Sequence, residues 1–515
     1  MAAATSTAQT VVDAVRYGNS EISGTARYRS MAGAFGALGG DPSCISDNPS
    51  GLAIYRGTSS FSFTPHMAFT GTESKGYNKL TGSDNAVGLS NFAWIGSFKN
   101  TSSDYLVNFN FGITMERRQE NQSKYDVALN GMPGSMSTYL TNQANNYLKG
   151  TIPADVAFDW DNSYTKAPFL SMLAYSTYAI DENPNNKNAV IDPVRQYCQE
   201  NGINFRPAQG LLVKERTRLD NYNFAMAANF DDRFYVGATL SIMDFNSIIE
   251  STFDEYYDGL DDILAYDNRF ETKGSGVGLN LGVMWTPIDS WRIGAAVHTP
   301  TWTTMREIYD GSMCTDPDYS DNSWESFNDE WKFDLATPWE YQFSTAFIVG
   351  NRGLISLEYD LRDFASMKYS ANQAWGLHDS DFRESNDAIK TSLTKQHTLK
   401  VGGEYRITNS ISARAGYAYS TSPYTESALN ATIHASQHNI NYYSTTKPNF
   451  QTLGAQYYAS CGAGWRGRCW SIDLAYVFHN LQQKAAAYPG DFSECNMVDI
   501  DFAQQNWDLT IAYRF

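Results

Sequence analysis

The last nine residues, Trp507-Asp-Leu-Thr-Ile-Ala-Tyr-Arg-Phe515, decide the fold. Trp507, Leu509, Ile511, Tyr513 and Phe515 fall on one face of an extended chain, and Asp508, Thr510, Ala512 and Arg514 on the other. A strict period of two means a strand with one apolar and one polar face. The preceding strand repeats the pattern, with Trp470, Ile472, Leu474, Tyr476 and Phe478 set against Cys469, Ser471, Asp473, Ala475 and Val477. Earlier, Leu399, Val401, Gly403, Tyr405 and Ile407 alternate with Lys400, Gly402, Glu404 and Arg406. Strands of a soluble sandwich alternate too, but they average about five or six residues. These run to about nine or more, the length that a tilted membrane-crossing strand needs. Trp285, Trp291, Trp470, Trp507 and Phe515 sit at strand ends, as the aromatic girdles of a membrane barrel require.

The same alternation, followed outward, gives fourteen strands: 59–71, 88–98, 105–116, 222–229, 234–245, 276–285, 291–301, 340–349, 354–363, 397–407, 411–420, 452–464, 469–479 and 507–515. Short turns follow the even-numbered strands and long loops follow the odd-numbered ones. Random loops would not sort by parity, whereas barrels with short periplasmic turns and long outer loops do. The expectation is an all-β fold, a 14-stranded antiparallel transmembrane β-barrel over residues 58–515, with both chain ends on the periplasmic side. The longest loop, 117–221, carries helical spacing at Met136, Tyr139, Leu140, Ala144, Tyr147 and Leu148. Further helices are expected from Pro168 and from Pro193. It reads as a partly helical extracellular insert.

Composition agrees. Aromatics make up 14% of the chain while the mean hydropathy is only −0.43. No apolar run approaches about 18 residues, so the chain has no transmembrane helix, and a polar average is what a barrel gives when it hides its lipid face in alternate residues. A net charge of −18 disfavours a nucleic-acid partner. No Gly-x-Ser-x-Gly elbow, HExxH or P-loop is present, which argues against an enzyme, and no cofactor is expected. Asp316, Asp318 and Asp321, like His434 and His438, lack the spacing of a Ca²⁺ or zinc site, so no metal is expected. The six cysteines form no CxxC. Cys461 and Cys469 flank a tight turn and are not expected to pair, and the connectivity of Cys198, Cys314 and Cys495 is not readable. Met1–Ala8 has neither a basic nor an apolar signal region, so the chain reads as a mature one.

One long segment near the start, 24–56, does not read as strand. Its stretch Arg29-Ser-Met-Ala-Gly-Ala-Phe-Gly-Ala-Leu38 is small and apolar and suits a crowded lumen. Asp41-Pro42 reads as a helix cap with Pro at the first helical position. Asn48-Pro49 interrupts the run, and Ile45, Leu52, Ala53 and Ile54 form one apolar side. A further short helix is expected over 10–17.

The order of small-residue helix, Gly39-Gly40-Asp41, then Asp47-Asn48-Pro49-Ser50-Gly51-Leu52 resembles the plug of the FadL/OmpP1/TodX family of outer-membrane channels. That family's signature is Asn-Pro-Ala, and Ser50 stands here where Ala is usual. The resemblance implies a plug over residues 1–57, with Asn48, Pro49, Ser50 and Gly51 as its motif. It also implies a location in the bacterial outer membrane and facilitated uptake of hydrophobic, fatty-acid-like molecules that pass the plug and leave sideways through the wall. We expect the lateral gap on the third strand at Asn108, Asn110 and Gly112, where Asn and Gly weaken the ladder. Unbroken pairing of strands 2, 3 and 4 there would exclude it. Of the inward cations, Arg292, His298, Lys400 and Arg414 are candidate contacts for an anionic headgroup, against the plainer reading of a lumen filled with paired charges. The expected partners are outer-membrane lipid or lipopolysaccharide, hydrophobic small molecules, and other outer-membrane proteins docking on the 117–221 insert. The rival reading is a non-transporting FadL-like subunit of an outer-membrane protein assembly or secretion complex.

Overall fold

Residues 10–101, 105–132, 134–159, 167–257, 260, 263–315, 325–350, 352–372, 378–431, 448–488 and 497–515 are described by the structure, a computed structural model. Asp316, Asp318, Asp321, His434, His438 and Cys495 lie outside the described residues.

Each expected segment is a strand. In chain order they are β1 (Ser60–Lys75), β2 (Lys79–Lys99), β3 (Leu106–Leu129), β4 (Ala208–Phe230), β5 (Phe234–Tyr256), β6 (Ile263–Ile288), β7 (Trp291–His298, resuming as Trp302–Cys314), β8 (Glu325–Ala336, resuming as Trp339–Val349), β9 (Gly353–Asp363, resuming as Lys368–Ala371), β10 (Lys395–Arg406), β11 (Ile411–Ser420), β12 (Phe450–Arg466), β13 (Trp470–Ala486) and β14 (Val498–Arg514). Successive strands pair antiparallel, and β14 returns to β1, where Ile511 faces Phe63 and Ile500 faces Ser74. The ladder thus closes into a 14-stranded antiparallel barrel. Pro300 and Pro338, which lack an N–H, sit in the interruptions of β7 and β8. The two breaks bond to each other, Thr337 N to Thr301 O at 3.1 Å and Thr301 N to Thr337 Oγ1 at 2.8 Å.

Alternate residues point outward and stay exposed as an apolar belt: Tyr222, Phe224, Met226 and Phe230 on β4, Phe234, Val236, Leu240 and Ile242 on β5, and Trp507 to Phe515 on β14. Such a belt is stable only against lipid, so the barrel is a transmembrane one. Among the described residues no helix is long and apolar enough to cross a membrane.

The strands outrun the alternation at one end. β6 has 26 residues and β5 has 23, so most of the long connections expected after strands 1 and 5 are paired strand. Beyond the membrane both faces meet water or protein, so the apolar period vanishes while the backbone ladder continues. The 117–221 insert is corrected for the same reason. It begins and ends in strand, with Leu129 paired to Gln209, and between them lie helices at Met136–Leu148, Ala154–Ala157, Phe169–Ser176 and Pro193–Glu200 and a small hairpin, Asp181–Asn183 with Asn186–Ile191. Leu140, Ala144, Leu148, Leu170 and Leu173 pack on inward residues of the strand tops such as Val213, Phe253, Phe270 and Tyr309, which caps the lumen.

The N-terminal segment fills the lumen below that cap. Helix α1 (Val11–Gly18), capped by Thr10, packs on Phe245, Met305, Phe333 and Tyr369 in the upper wall. The chain then descends to Ser59, which exchanges backbone bonds of 3.1 Å with Phe515 at the short-turn end. Thr10, the first described residue, lies in the upper lumen, where its carbonyl accepts from Tyr369 OH at 3.0 Å, so the described plug runs up through the barrel. The expected helix through Arg29–Leu38 shrinks to one turn, Ala26–Arg29, since Ala32 and Gly33 both take positive φ.

Candidate functional site: plugged lumen and split wall

The motif residues hold the plug against the wall. Asn48 caps a 3₁₀ helix, Pro49–Ile54, as Asp41 caps Pro42–Ile45, and each has Pro at the first position. Asn48 Oδ1 accepts from Ser50 N and, at 2.6 Å, from Ser50 Oγ, while its Nδ2 donates to Gly36 O at 2.7 Å and to Val283 O of β6 at 3.3 Å. The wall has no side chain where the motif touches it. A Cβ on Gly282 would lie 2.1 Å from Asn48 Oδ1, and one on Gly237 would lie 2.3 Å from the Pro49 carbonyl carbon. Ile45, Leu52 and Ala53 form the apolar side anticipated, packed on Ile95, Ala225, Ala227, Tyr235 and Met284.

Above this floor lies a layer of buried charge. Lys400, a candidate ligand contact, is taken by Glu358 Oε1 at 2.7 Å and Asp360 Oδ2 at 2.6 Å. Arg414 is taken by Glu404 and Asp473 at 2.7 and 2.6 Å, and Arg292 donates to Leu38 O of the plug at 2.7 Å. These three therefore hold wall or plug. His298 differs. Its Nε2 is buried without a hydrogen-bond partner among the described residues, and the ring lines a pocket with Arg118, Asn280, Glu340 and Arg362. Plug cations join the layer, Arg27 to Glu404 at 3.0 Å and Arg29 to Asp508 at 2.5 Å. Asp47 is the plug's buried anion. It accepts from Tyr28 OH at 3.1 Å and Gln342 Nε2 at 2.7 Å. Burial raises its carboxyl from 3.8 to about 7, with Lys400 opposing and Asp360 adding to the rise.

The expected gap is absent from its expected place. Asn108, Asn110 and Gly112 pair without a break to Lys99, Ser97 and Ile95 of β2, and to Asn229, Ala227 and Ala225 of β4. The two asparagines instead bind the plug's exit, with both Nδ2 groups donating to Tyr55 O at 2.8 Å. The wall parts higher up. Pairing of β2 with β3 ends at Asn91 and Glu116, and β3 carries a bulge between Arg117 and Gln119. Beyond it β3 crosses the inner face of the β1–β2 hairpin: Thr72 Oγ1 and Ser74 Oγ donate to the carbonyls of Lys124 and Asp126, and Glu120 meets His66 of β1. Among the described residues, 79–90 of β2 pair with β1 alone. Leu89 and Val87 belong to this freed stretch, so the split opens within the apolar belt. Plug backbone closes its inner side. Glu21 N donates to Arg118 O at 2.8 Å, Ser23 Oγ to Arg117 O, and Ser90 Oγ to Gly24 O at 3.1 Å.

No family model and no curated protein matches the sequence. Solved structures do. A Pseudomonas aeruginosa FadL homologue aligns over 96% of this chain and 99% of its own, with a TM-score of 0.55 at 13% identity. The Pseudomonas putida toluene transporter TodX aligns over the same shares, with a TM-score of 0.51 at 11% identity. This is the FadL fold. Sequence reasoning found the barrel but missed the split, whose local signal is the polar run Glu116-Arg117-Arg118-Gln119-Glu120 that follows Met115 within the third strand.

Proposed function

We propose that the protein is a channel of the bacterial outer membrane, with its short turns toward the periplasm. It takes up small hydrophobic molecules from outside and releases them sideways into the membrane. The observation that carries this reading is the split between β2 and β3. It lies within the apolar belt and is closed on the lumen side by backbone of plug residues Glu21 to Gly24. An apolar solute gains nothing by entering the aqueous periplasm when bilayer adjoins the wall. The fold shared with a toluene transporter supports the hydrophobic class of cargo, and fatty-acid-like molecules are its acidic members. The test is a tether between backbone-bonded neighbours, Glu21→Cys with Arg118→Cys, in a Cys461→Ser, Cys469→Ser background. Oxidation is expected to abolish uptake of a fluorescent fatty acid and of toluene in whole cells, and reduction to restore it. Undiminished uptake by fully cross-linked protein would exclude exit past this segment.

The non-transporting reading has its own support, since plug and wall are interlocked by Arg27–Glu404, Arg29–Asp508 and Glu358, which accepts from Gly36 N at 2.6 Å. In that role the cap helices and outer loops would dock other outer-membrane proteins, with lipid or lipopolysaccharide around the belt. Native mass spectrometry from mild detergent separates the two. Retained fatty-acid-sized adducts on a lone barrel favour the channel, and a stoichiometric complex without them favours the subunit.

A further inference from the structure

We propose that the short-turn mouth of the barrel is a binding site for phosphate-bearing anions, formed by Arg352, Arg406, Arg466 and Arg514. All four stand at strand ends, in step with lumen-facing residues. Arg406 follows Gly402 and Glu404, Arg466 follows Gly462 and Gly464, and Arg514 follows Asp508 and Thr510 at alternate positions. Arg352 and Arg406 are direct cross-strand neighbours, with Arg406 N donating to Arg352 O at 2.7 Å. Like charges placed opposite each other destabilise a sheet unless something neutralises them.

No carboxylate among the described residues pairs directly with any of the four. Among the described residues none of the four guanidinium groups has an ion pair or a side-chain hydrogen bond. The nearest carboxylates are already committed. Glu404 lies between Arg27 and Arg414, and Asp473 is held by Arg414. Arg466 is partly desolvated and feels the charge of Arg514 and Arg27, which the committed carboxylates Glu404 and Asp473 oppose. The opposite half of the same rim behaves differently, with Arg56 paired to Asp232 at 2.9 Å and Arg233 near Asp289 at 4.0 Å. In a chain of net charge −18, an unpaired arginine arc on one side of one mouth is a local exception. Guanidinium groups bind phosphate through paired N–H donors. Trp465, Trp470, Tyr513 and Phe515 stand exposed beside the arc, at the level where lipid phosphates lie. The anion is therefore a phospholipid headgroup or a soluble phosphate of the same chemistry. The site does not depend on whether the barrel transports.

The experiment is native mass spectrometry of the full barrel in neutral detergent, offered phosphatidylglycerol, phosphatidylcholine or pyrophosphate. The comparison is with the variant carrying Arg352→Gln, Arg406→Gln, Arg466→Gln and Arg514→Gln. Heat-modifiable electrophoresis confirms that both are folded. Retention of phosphatidylglycerol over phosphatidylcholine, falling at least about tenfold in the variant, is expected. The same loss with pyrophosphate alone supports the site and makes its ligand soluble. An Arg56→Gln, Arg233→Gln variant should bind as the wild type does. Equal retention by wild type and the four-fold variant, no retention by either, or binding of a polyglutamate peptide but of neither phosphate probe would overturn the proposal.

Discussion

The contact between Asn48 and Gly282 is a lock made of one side chain and one missing side chain. Any Cβ at 282 collides with the Asn48 amide oxygen, which is itself fixed by Ser50. Gly282→Val should therefore overpack the lumen by about 1–3 kcal/mol and displace the plug rather than the wall. Proteolytic nicking within residues 24–56 should rise while the heat-modification temperature of the barrel stays nearly unchanged. Asp47 gives the residue scale a pH dependence. Its carboxyl titrates near 7 when docked and near 3.8 when the plug is free, so docking binds a proton between those values. Docking is strongest at about pH 4, weakens as pH rises to about 7 and changes little above. Proteolytic nicking within residues 24–56 should increase from pH 5 to 7.5, and Asp47→Asn should flatten that rise. A rise that survives in Asp47→Asn would assign it to another group.

At the scale of elements, β2 has two halves in different environments. Asn91–Lys99 is paired on both sides, while 79–90 is paired to β1 alone. Hydrogen exchange should report this as an alternation. Along 79–90 every second amide points to β1 and should exchange slowly, and the intervening amides should exchange fast. Uniform protection would mean that another strand covers the edge. The location of every barrel strand could be read from the sequence because lipid on one face enforces period two. Their tops could not, since Thr72-Glu73-Ser74-Lys75 has no apolar period yet continues the ladder. The lateral opening was misplaced for a related reason. Asn108, Asn110 and Gly112 look like weak strand, but their small or amide side chains serve the plug, with Gly112 leaving room for Ile45. Lys400 and Arg414 were legible as inward cations, and their partners were not, because those lie on other strands. The arginines of the mouth are far apart in the chain, and only the successive pairing of β9 to β14 gathers them.

At the scale of the whole molecule, two closures stand in series along the axis. The plug fills the floor and the charged middle, and the helices at 136–176 seal the top against Val213, Phe253, Phe270 and Tyr309. Neither closure contributes a strand to the barrel ladder, which runs from β1 round to β14 without them. Most wall charges are also paired within the wall, as in Lys400 with Glu358 and Arg414 with Asp473. The wall should therefore insert when either closure is removed. Deleting residues 10–57 should leave a barrel that passes little steady current, because the cap still blocks the axis. Replacing 132–205 with a short turn should leave the same silence, because the plug remains. Removing both should give a permanently open pore in planar bilayers. A full pore after deletion of the plug alone would show that the cap does not seal. In that case an axial route would compete with the split between β2 and β3. Silence of both single variants would leave the wall as the way out for a solute that enters the lumen, because a series of two seals can be bypassed only from the side.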